Sequence, residues 1–203
     1  MLEKPRLVSV EQVASGWINK YLLTYVLPNG KRYTYESASR KDYQHYCIAL
    51  EAYASNTAVS PDAICVIPIT ANNELVLIRE FRYPLNSWCI AFPAGLMEQG
   101  EPIELCVSRE LSEETGYALV PETSLEVLPQ AGFSSTGMTD ETVQVVLAQV
   151  EKAGSAHTEE NEMIEVFTLP IEKIPAFLAE NTTAIGTRCQ LGLMYIYARY
   201  SLQ

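Results

Sequence analysis

The alternation of apolar and polar positions predicts a small β-rich segment ahead of a larger region of strands and helices. Strand-forming residues alternate over residues 21–27 and again over residues 31–37, on either side of the turn sequence Pro28-Asn29-Gly30. This pattern predicts a β-hairpin. A lone hairpin is only marginally stable in water, so it must pack against its own domain or against a second subunit.

Further along the chain, apolar runs predict strands that are interrupted by helices. Residues 42–54 fit a short helix or an irregular connector. Strands are predicted over residues 63–69, 74–81, 87–92, 119–130, 142–150 and 164–169, and Pro121-Glu122 breaks the fourth of them. Helices are predicted over residues 170–180 and 184–199, and Thr183 can cap the second of them. Because strands and helices do not strictly alternate, the order favours an α/β (α+β) fold with a mixed sheet.

An acidic segment between these strands predicts the helix that matters most for function. Pro102 suits the first helical position and Gly116 suits the end, so the helix should cover about residues 102–115. On a helical wheel with Ile103 at zero, Glu110 falls near about −20° and Glu114 near about 20°. Both carboxylates therefore lie inside the apolar stripe of the helix.

Two carboxylates one turn apart on a packing face repel each other and resist loss of water. A hard divalent cation with oxygen ligands is the simplest compensation. Arg109 and Glu113 are spaced i,i+4 beside the pair, so Arg109 can neutralise part of the charge. The alternative is a solvated acidic face, as in most runs of charge.

Composition narrows the class of protein. The chain has 203 residues, which fits one domain or one domain with a small appendage. Its net charge of −11 disfavours binding to nucleic acid or to an anionic membrane. The five cysteines are odd in number and scattered, which indicates reduced thiols. No apolar run is long enough for a signal peptide or a membrane span, so we expect a cytoplasmic protein.

The acidic segment closely resembles a complete Nudix box. Gly95 is followed after five residues by Glu101, after seven more by Arg109-Glu110-Leu111, and then by Glu113-Glu114 and Gly116 at fixed spacing. Tyr117 stands where an aliphatic residue is commoner. The resemblance implies an α/β/α sandwich with a mixed sheet over residues 59–203. It also implies that residues 1–58 form an N-terminal antiparallel β appendage that is exchanged within a homodimer.

The resemblance also implies a set of site residues around Mg²⁺ or Mn²⁺. The metal ligands would be Glu110, Glu114, Glu162 and the carbonyl of Ala94. The catalytic residues would be Glu160, as general base, together with Glu113 and Arg109; His157 is an alternative base. The substrate would be contacted by Arg82, Arg79, Leu96 and Ser135.

The same resemblance implies hydrolysis of a nucleoside diphosphate linked to a moiety X, with ADP-ribose giving AMP and ribose 5-phosphate. Two positions depart from the usual pattern, because Ala91 replaces a glutamate and Thr136 replaces a proline. GDP-mannose, a UDP-sugar or a dinucleotide therefore stay open as substrates, as does a non-catalytic module that senses nucleotide sugars. Trp88, Phe133 and Tyr35 can stack on a base or belong to the core.

Overall fold

The fold is described from a computed structural model, which covers residues 3–158 and 160–201. The strands are β1 Arg6–Ala14, β2 Asn19–Val26, β3 Arg32–Ser39, β4 Ala63–Thr70, β5 Glu74–Arg82, β6 Ser87–Ala91, β7 Ala94–Leu96, β8 Tyr117–Leu119, β9 Glu126–Val127, β10 Gly132–Phe133, β11 Thr142–Lys152, β12 Ile164–Pro170 and β13 Ala184–Ile185. The helices are α1 Tyr43–Ala54, α2 Ile103–Glu110, α3 Ile174–Glu180 and α4 Thr187–Ser201. The chain forms two compact units, residues 1–62 with 131–143, and residues 63–130 with 144–203.

The first unit is built on the antiparallel sheet β1-β2-β3 and helix α1. The predicted hairpin is present as β2 and β3, and β1 adds a third strand that the sequence pattern did not reveal. Asp42 caps α1 by accepting the N–H of His45 at 2.9 Å. Tyr21 and Tyr46 stack with ring centroids 4.3 Å apart and form a small core with Leu23. The connector over residues 42–54 is therefore a helix that covers the hairpin.

The loop over residues 131–143 belongs to this first unit as well. Tyr35 donates a hydrogen bond to the carbonyl of Gly137 at 2.6 Å. Lys41 forms ion pairs with Asp62 at 2.6 Å and with Asp140 at 3.0 Å, which neutralises two carboxylates on one side chain. These contacts join residues that are about a hundred positions apart into one unit.

The second unit is built on a mixed sheet in which one strand, β4, changes its pairing partner along its length. The strand order is β11-β4-β5-β6-β13. Strands β4 and β6 pair with one edge of β5, and β12 pairs with its other edge. Strand β4 pairs with β5 at Ile69 and Leu75, whereas its first residues, from Ala63, pair with β7 instead. Strands β4 and β5 therefore separate toward the end of β5, and β7 fills the opening and leads into α2.

The acidic helix packs its apolar stripe on this sheet as the wheel predicts. Cys106, Val107 and Leu111 are fully buried with Ile64 and Val66 of β4. After Glu110 the helix widens into a π-helical turn over Leu111–Thr115. Such turns occur at functional sites and shift the side chains that follow relative to the face before them.

Two predicted elements differ in extent from the observed ones. Residues 119–130 contribute only the last residue of β8 and the short strand β9, and the predicted break at Pro121 separates the two. Helix α4 begins at Thr187 rather than at residue 184, since residues 184–185 pair with β6 as β13. Thr183 therefore does not cap it. The helical spacing of Leu191 and Met194 predicts a core or a subunit contact. These side chains are 61% and 55% exposed, which excludes the core, and the subunit contact stays a prediction.

The sequence predicts reduced thiols and no membrane span. Cys47, Cys65, Cys89, Cys106 and Cys189 are all free, and four of them are buried. Among the helices of the described residues, none combines the length and the apolar character that a bilayer span needs.

Candidate active site

Glu110 and Glu114 form a buried pair of carboxylates at the base of the opening in the sheet. They are 7% and 6% exposed, respectively. Glu114 Oε2 accepts the backbone N–H of Ala94 at 3.0 Å. Loss of water raises the pKa of Glu114 well above its ordinary value, and the charge of Glu110 raises it further. Burial also raises the pKa of Glu110, although Arg109 opposes this.

Gly95 provides the space in which the Glu110 carboxylate lies. A Cβ built on Gly95 would lie 1.8 Å from Glu110 Oε1 and 2.0 Å from its Cδ. No side chain at position 95 is compatible with this placement of the carboxylate. The glycine at the start of the motif is thus required by the glutamate fifteen positions later.

Arg109 connects the loop before α2 to the carboxylate pair. Its Nε and Nη2 donate to the two oxygens of Glu101 at 3.1 Å each, and Nη2 also donates to the carbonyl of Leu96 at 3.0 Å. Its Nη1 lies 2.6 Å from Glu110 Oε1 and 3.5 Å from Glu113. These bonds hold the pKa of Glu101 at about 2. Arg109 therefore positions the site and partly neutralises Glu110.

Gly116 ends the π-helical turn in a left-handed conformation, with φ of 67°. A Cβ there would lie 2.5 Å from the carbonyl of Gly154, so the following loop packs directly on this residue. The backbone N–H of His157 donates to the carbonyl of Glu113 at 2.8 Å. The end of the acidic helix thereby fixes one end of the loop that carries the predicted base.

That loop carries Glu160 and Glu162, both of which are exposed. Burial is the main cause that raises the pKa values of Glu110 and Glu114, and the charge of Glu162 adds a smaller effect in the same direction. Glu162 therefore lies within electrostatic reach of the buried pair. The role of Glu160 as base stays a prediction, and its neighbour Glu159 lies outside the described residues.

The two arginines of β5 lie in different surroundings. Arg82 forms an ion pair with Glu80 at 3.1 Å. Arg79 pairs with Glu165 of β12 at 2.5 Å and lies over the ring of Trp88, 5.0 Å from its centroid. Because successive side chains of a strand point to opposite faces, Arg79 lies on the face opposite to Arg82. Contact of either arginine with substrate stays a prediction.

The remaining predicted contact residues divide between the units. Leu96 lies on β7, where its carbonyl is already bound to Arg109. Ser135 is exposed in the first unit, where its carbonyl accepts the N–H of Met138 at 2.9 Å. Phe133 is also in the first unit and contacts Tyr53 edge-on at 5.2 Å between ring centroids. Their roles toward a substrate stay predictions.

Comparison with known proteins identifies the family. Residues 59–186 match the model of the NUDIX domain. The chain belongs to this family. The match begins just before β4 and ends just before α4, so it includes the sheet opening, the acidic helix and the loop that carries Glu160 and Glu162.

Relatives within the family cover nearly the whole chain. The ADP-ribose pyrophosphatase of Bacillus subtilis (strain 168) is 29% identical over 199 residues, 97% of this chain and 94% of that protein. The ADP-sugar pyrophosphatase of Mus musculus is 32% identical over 179 residues, 82% of this chain and 74% of that protein. A crystal structure of an ADP compounds hydrolase has the same fold, with a TM-score of 0.75, 22% identity, and coverage of 98% of this chain and 95% of that one.

The NUDIX carboxylates fit a divalent cation by charge and by donor chemistry. The buried pair Glu110 and Glu114 is offset by one arginine and one backbone N–H, which leaves negative charge in a desolvated place. Oxygen donors of this kind suit Mg²⁺, Mn²⁺ or Ca²⁺. Within residues 3–158 and 160–201, no three His, Cys, Asp or Glu side chains already converge as a ligand set. Arg109, rather than a third acid, contacts Glu110.

Glu80 is a largely buried carboxylate of the second unit that the sequence pattern did not single out. It lies on β5, its side chain is 13% exposed, and its charge raises the pKa of Glu114. The available signal was its position in an otherwise buried strand, where an acidic side chain is uncommon. The sequence pattern indicated the neighbouring Arg79 and Arg82 instead.

Proposed function

We propose that this NUDIX protein is an enzyme that hydrolyses the pyrophosphate of a nucleoside diphosphate linked to a sugar. The observation that carries this proposal is the buried pair Glu110 and Glu114 beneath the sheet opening, with more negative charge than its partners offset. A structural pair of acids would be costly at this position. A site that binds a cation needs this excess of charge.

The proposed chemistry divides among the residues around this pair. A bound Mg²⁺ or Mn²⁺ would neutralise the phosphate oxygens and acidify a water molecule. Glu110 and Glu114 would hold this ion, together with Glu162 and the carbonyl of Ala94. Glu160 accepts the proton of the attacking water, whose oxygen bonds to one phosphorus while the bridging P–O bond breaks.

Other chain groups position the reactants. Arg109 keeps the loop with Leu96 in place through its bonds to Glu101 and the Leu96 carbonyl. Arg82, on the same face of β5 as Glu80, is suited to pair with a phosphate oxygen. Ser135 of the first unit stays a predicted contact with substrate. Arg79 lies on the opposite face of β5, where it pairs with Glu165, so its predicted contact with substrate has less support than that of Arg82.

We propose ADP-ribose as the substrate, with AMP and ribose 5-phosphate as products. The names of the Bacillus subtilis and Mus musculus relatives support an ADP-linked sugar. The free thiols support a reducing compartment such as the cytoplasm. We also propose a homodimer, supported by Trp17 and Ile18, which expose 75% and 58% of their surface in the connection between β1 and β2.

A substrate panel tests this function. The whole chain is incubated with Mg²⁺ or Mn²⁺ and equal concentrations of ADP-ribose, GDP-mannose, UDP-glucose and a dinucleotide, and nucleoside monophosphate is measured by chromatography. We expect the highest kcat/KM for ADP-ribose and no turnover by Glu114→Gln. Faster release of another monophosphate would reassign the substrate. Tight binding of a nucleotide sugar without any turnover would instead identify a sensing module.

A further inference from the structure

Glu80 is a carboxylate of the second unit to which the proposed chemistry assigns no role. Its side chain is 13% exposed, although it is charged. Strand β5 is paired on both edges at this residue, with Cys89 of β6 on one side and Ile164 of β12 on the other. Glu80 therefore lies inside the sheet with a strand on each side, so its direction is set by the sheet rather than by a loop.

The register places Glu80 on the face of the sheet that carries the active site. Val76 of β5 packs against the buried stripe of α2. Glu80 lies four residues further along the strand, so it points to the same face. The charge effects agree with this placement, because Glu80 raises the pKa of Glu114 and Glu162 in turn raises that of Glu80, after burial as its main cause.

Two neighbouring strands bring related positions next to Glu80. Ala91 of β6 is paired with Ile78, two residues before Glu80, so Ala91 and Glu80 are diagonal neighbours on one face. Ile164 is paired with Glu80, and Glu162 precedes Ile164 by two residues. Glu80 thus lies between the loop acid Glu162 and a position at which the resemblance leads us to expect a glutamate.

The ion pair with Arg82 does not explain the burial of Glu80. The Arg82 side chain is 53% exposed, and the two groups are 3.1 Å apart. An exposed partner contributes little to stability. The charges of Arg82 and Arg188 both lower the pKa of Glu80, but burial outweighs them and the pKa stays above its ordinary value. A carboxylate that is mostly out of water and acts on the buried Glu114 is costly unless a cation offsets it.

We propose that Glu80 supplies the carboxylate of the sheet to divalent cation binding, in place of the glutamate that is missing at position 91. This inference rests on the proposed function, because it adds a residue to the same site. It predicts that a carboxylate is needed on this face of the β5–β6 pair, and that either position can carry it.

The test measures Mn²⁺ binding by titration calorimetry on the whole chain, without any substrate. The proteins compared are wild type, Glu80→Gln, the double variant Glu80→Gln/Ala91→Glu, and the matched control Glu165→Gln on β12. We expect Glu80→Gln to weaken Mn²⁺ binding about 10- to 100-fold, as for other groups that support a metal site. The double variant should recover most of this loss, and Glu165→Gln should bind as wild type does.

Unchanged Mn²⁺ affinity in Glu80→Gln would overturn the proposal. A raised KM for substrate with unchanged Mn²⁺ affinity would also overturn it, since that result would identify Glu80 as a support for Arg82. Thermal unfolding in EDTA checks that each variant is folded. Failure of the proposed function has a different result, because wild type would then bind Mn²⁺ and release no nucleoside monophosphate from any substrate.

Discussion

The carboxylate of Glu110 lies where a side chain on Gly95 would begin, with Oε1 only 1.8 Å from the position of a Cβ. Two residues on different elements, β7 and α2, therefore share one volume. This relationship explains in physical terms why a glycine stands at the start of the acidic motif. A substitution at Gly95 can therefore displace the Glu110 carboxylate while Glu110 itself is unchanged.

We expect Gly95→Ala to fold normally but to lose activity. The atoms that the new methyl meets belong to the end of a flexible side chain, so Glu110 can rotate away at small cost. A displacement of about 1 Å at a reacting centre can reduce the rate about 100-fold. Turnover and Mn²⁺ affinity should both fall, with an unchanged circular dichroism spectrum.

Gly132→Ala is the control for this variant, because a Cβ at Gly132 meets nothing within 4 Å. It should keep wild-type turnover. Wild-type turnover in Gly95→Ala would show that the placement of Glu110 against Gly95 does not matter for activity.

Removal of the Glu114 charge should stabilise the metal-free protein. Burial and the nearby charge of Glu110 raise the pKa of Glu114, so its ionised form opposes folding at neutral pH. Glu114→Gln keeps an oxygen that can accept the Ala94 N–H and removes the charge. In EDTA at pH 7.5 we expect a higher unfolding temperature, by about 2–4 °C for each kcal/mol gained in a chain of this size.

The raised pKa of Glu114 also predicts how the stability difference between wild type and Glu114→Gln changes with pH. A raised pKa in the folded state means that wild type loses stability as pH rises above 4.5, the ordinary value for Glu114, through the folded value. The advantage of Glu114→Gln should therefore be largest at neutral pH and should vanish near pH 4.5. An advantage that grows as pH falls would contradict the assigned cause.

The sequence was sufficient to predict the acidic helix and its unusual face. The 3.6-residue period places Glu110 and Glu114 among apolar residues, and both are buried in the structure. The period cannot show the π-helical turn over Leu111–Thr115, since that depends on how the helix meets Gly116 and the loop packed on it. Nor can it show that β4 changes partner from β5 to β7, which is a long-range pairing.

Other differences have the same origin in tertiary contacts. The strand-forming residues over 119–130 form only short strands, because Pro121 interrupts them. Their pairing also depends on how much of β11 is available, which local propensity does not show. Glu80 was missed because an acid in a strand has no periodic signal of its own. Its significance depends on Glu114 and Glu162, which are distant in sequence.

Arg109→Lys should destabilise the protein although it keeps the positive charge. Lysine cannot reproduce the planar set of bonds to Glu101, Leu96 and Glu110. Loss of these charged hydrogen bonds should lower the free energy of unfolding by about 1–3 kcal/mol at pH 7. Urea unfolding measures this difference.

Acid should reduce the difference between wild type and Arg109→Lys. The folded pKa of Glu101 is about 2, below its ordinary value of 4.5, so its contribution is present above pH 4.5 and is lost toward pH 2. Arg199→Lys is the control, because Arg199 pairs with the exposed Glu126 at 2.7 Å and such pairs contribute little. Equal effects of the two variants would refute the positioning role of Arg109.

The two acids of the 160–162 loop should separate by kinetics and by metal binding. If Glu160 accepts the proton of water, Glu160→Gln should lower kcat about 100- to 10,000-fold while Mn²⁺ affinity stays unchanged. Glu162→Gln should weaken Mn²⁺ binding, because its charge acts on Glu110 and Glu114. Near-normal turnover by Glu160→Gln would exclude it as the base, and His157→Gln would then be measured in the same way.

The proposed dimer can be tested on two exposed apolar surfaces of the chain. The first is Trp17 with Ile18 in the first unit, and the second includes Met194 on α4 in the second unit, where α4 turns other residues into the core. Because these side chains are more than half exposed, their replacement should leave each unit folded. In sedimentation velocity we expect wild type and Met194→Ser to be dimers and Trp17→Ser/Ile18→Ser to be a monomer. Dissociation by Met194→Ser alone would move the interface to α4, and a monomeric wild type would remove the dimer altogether.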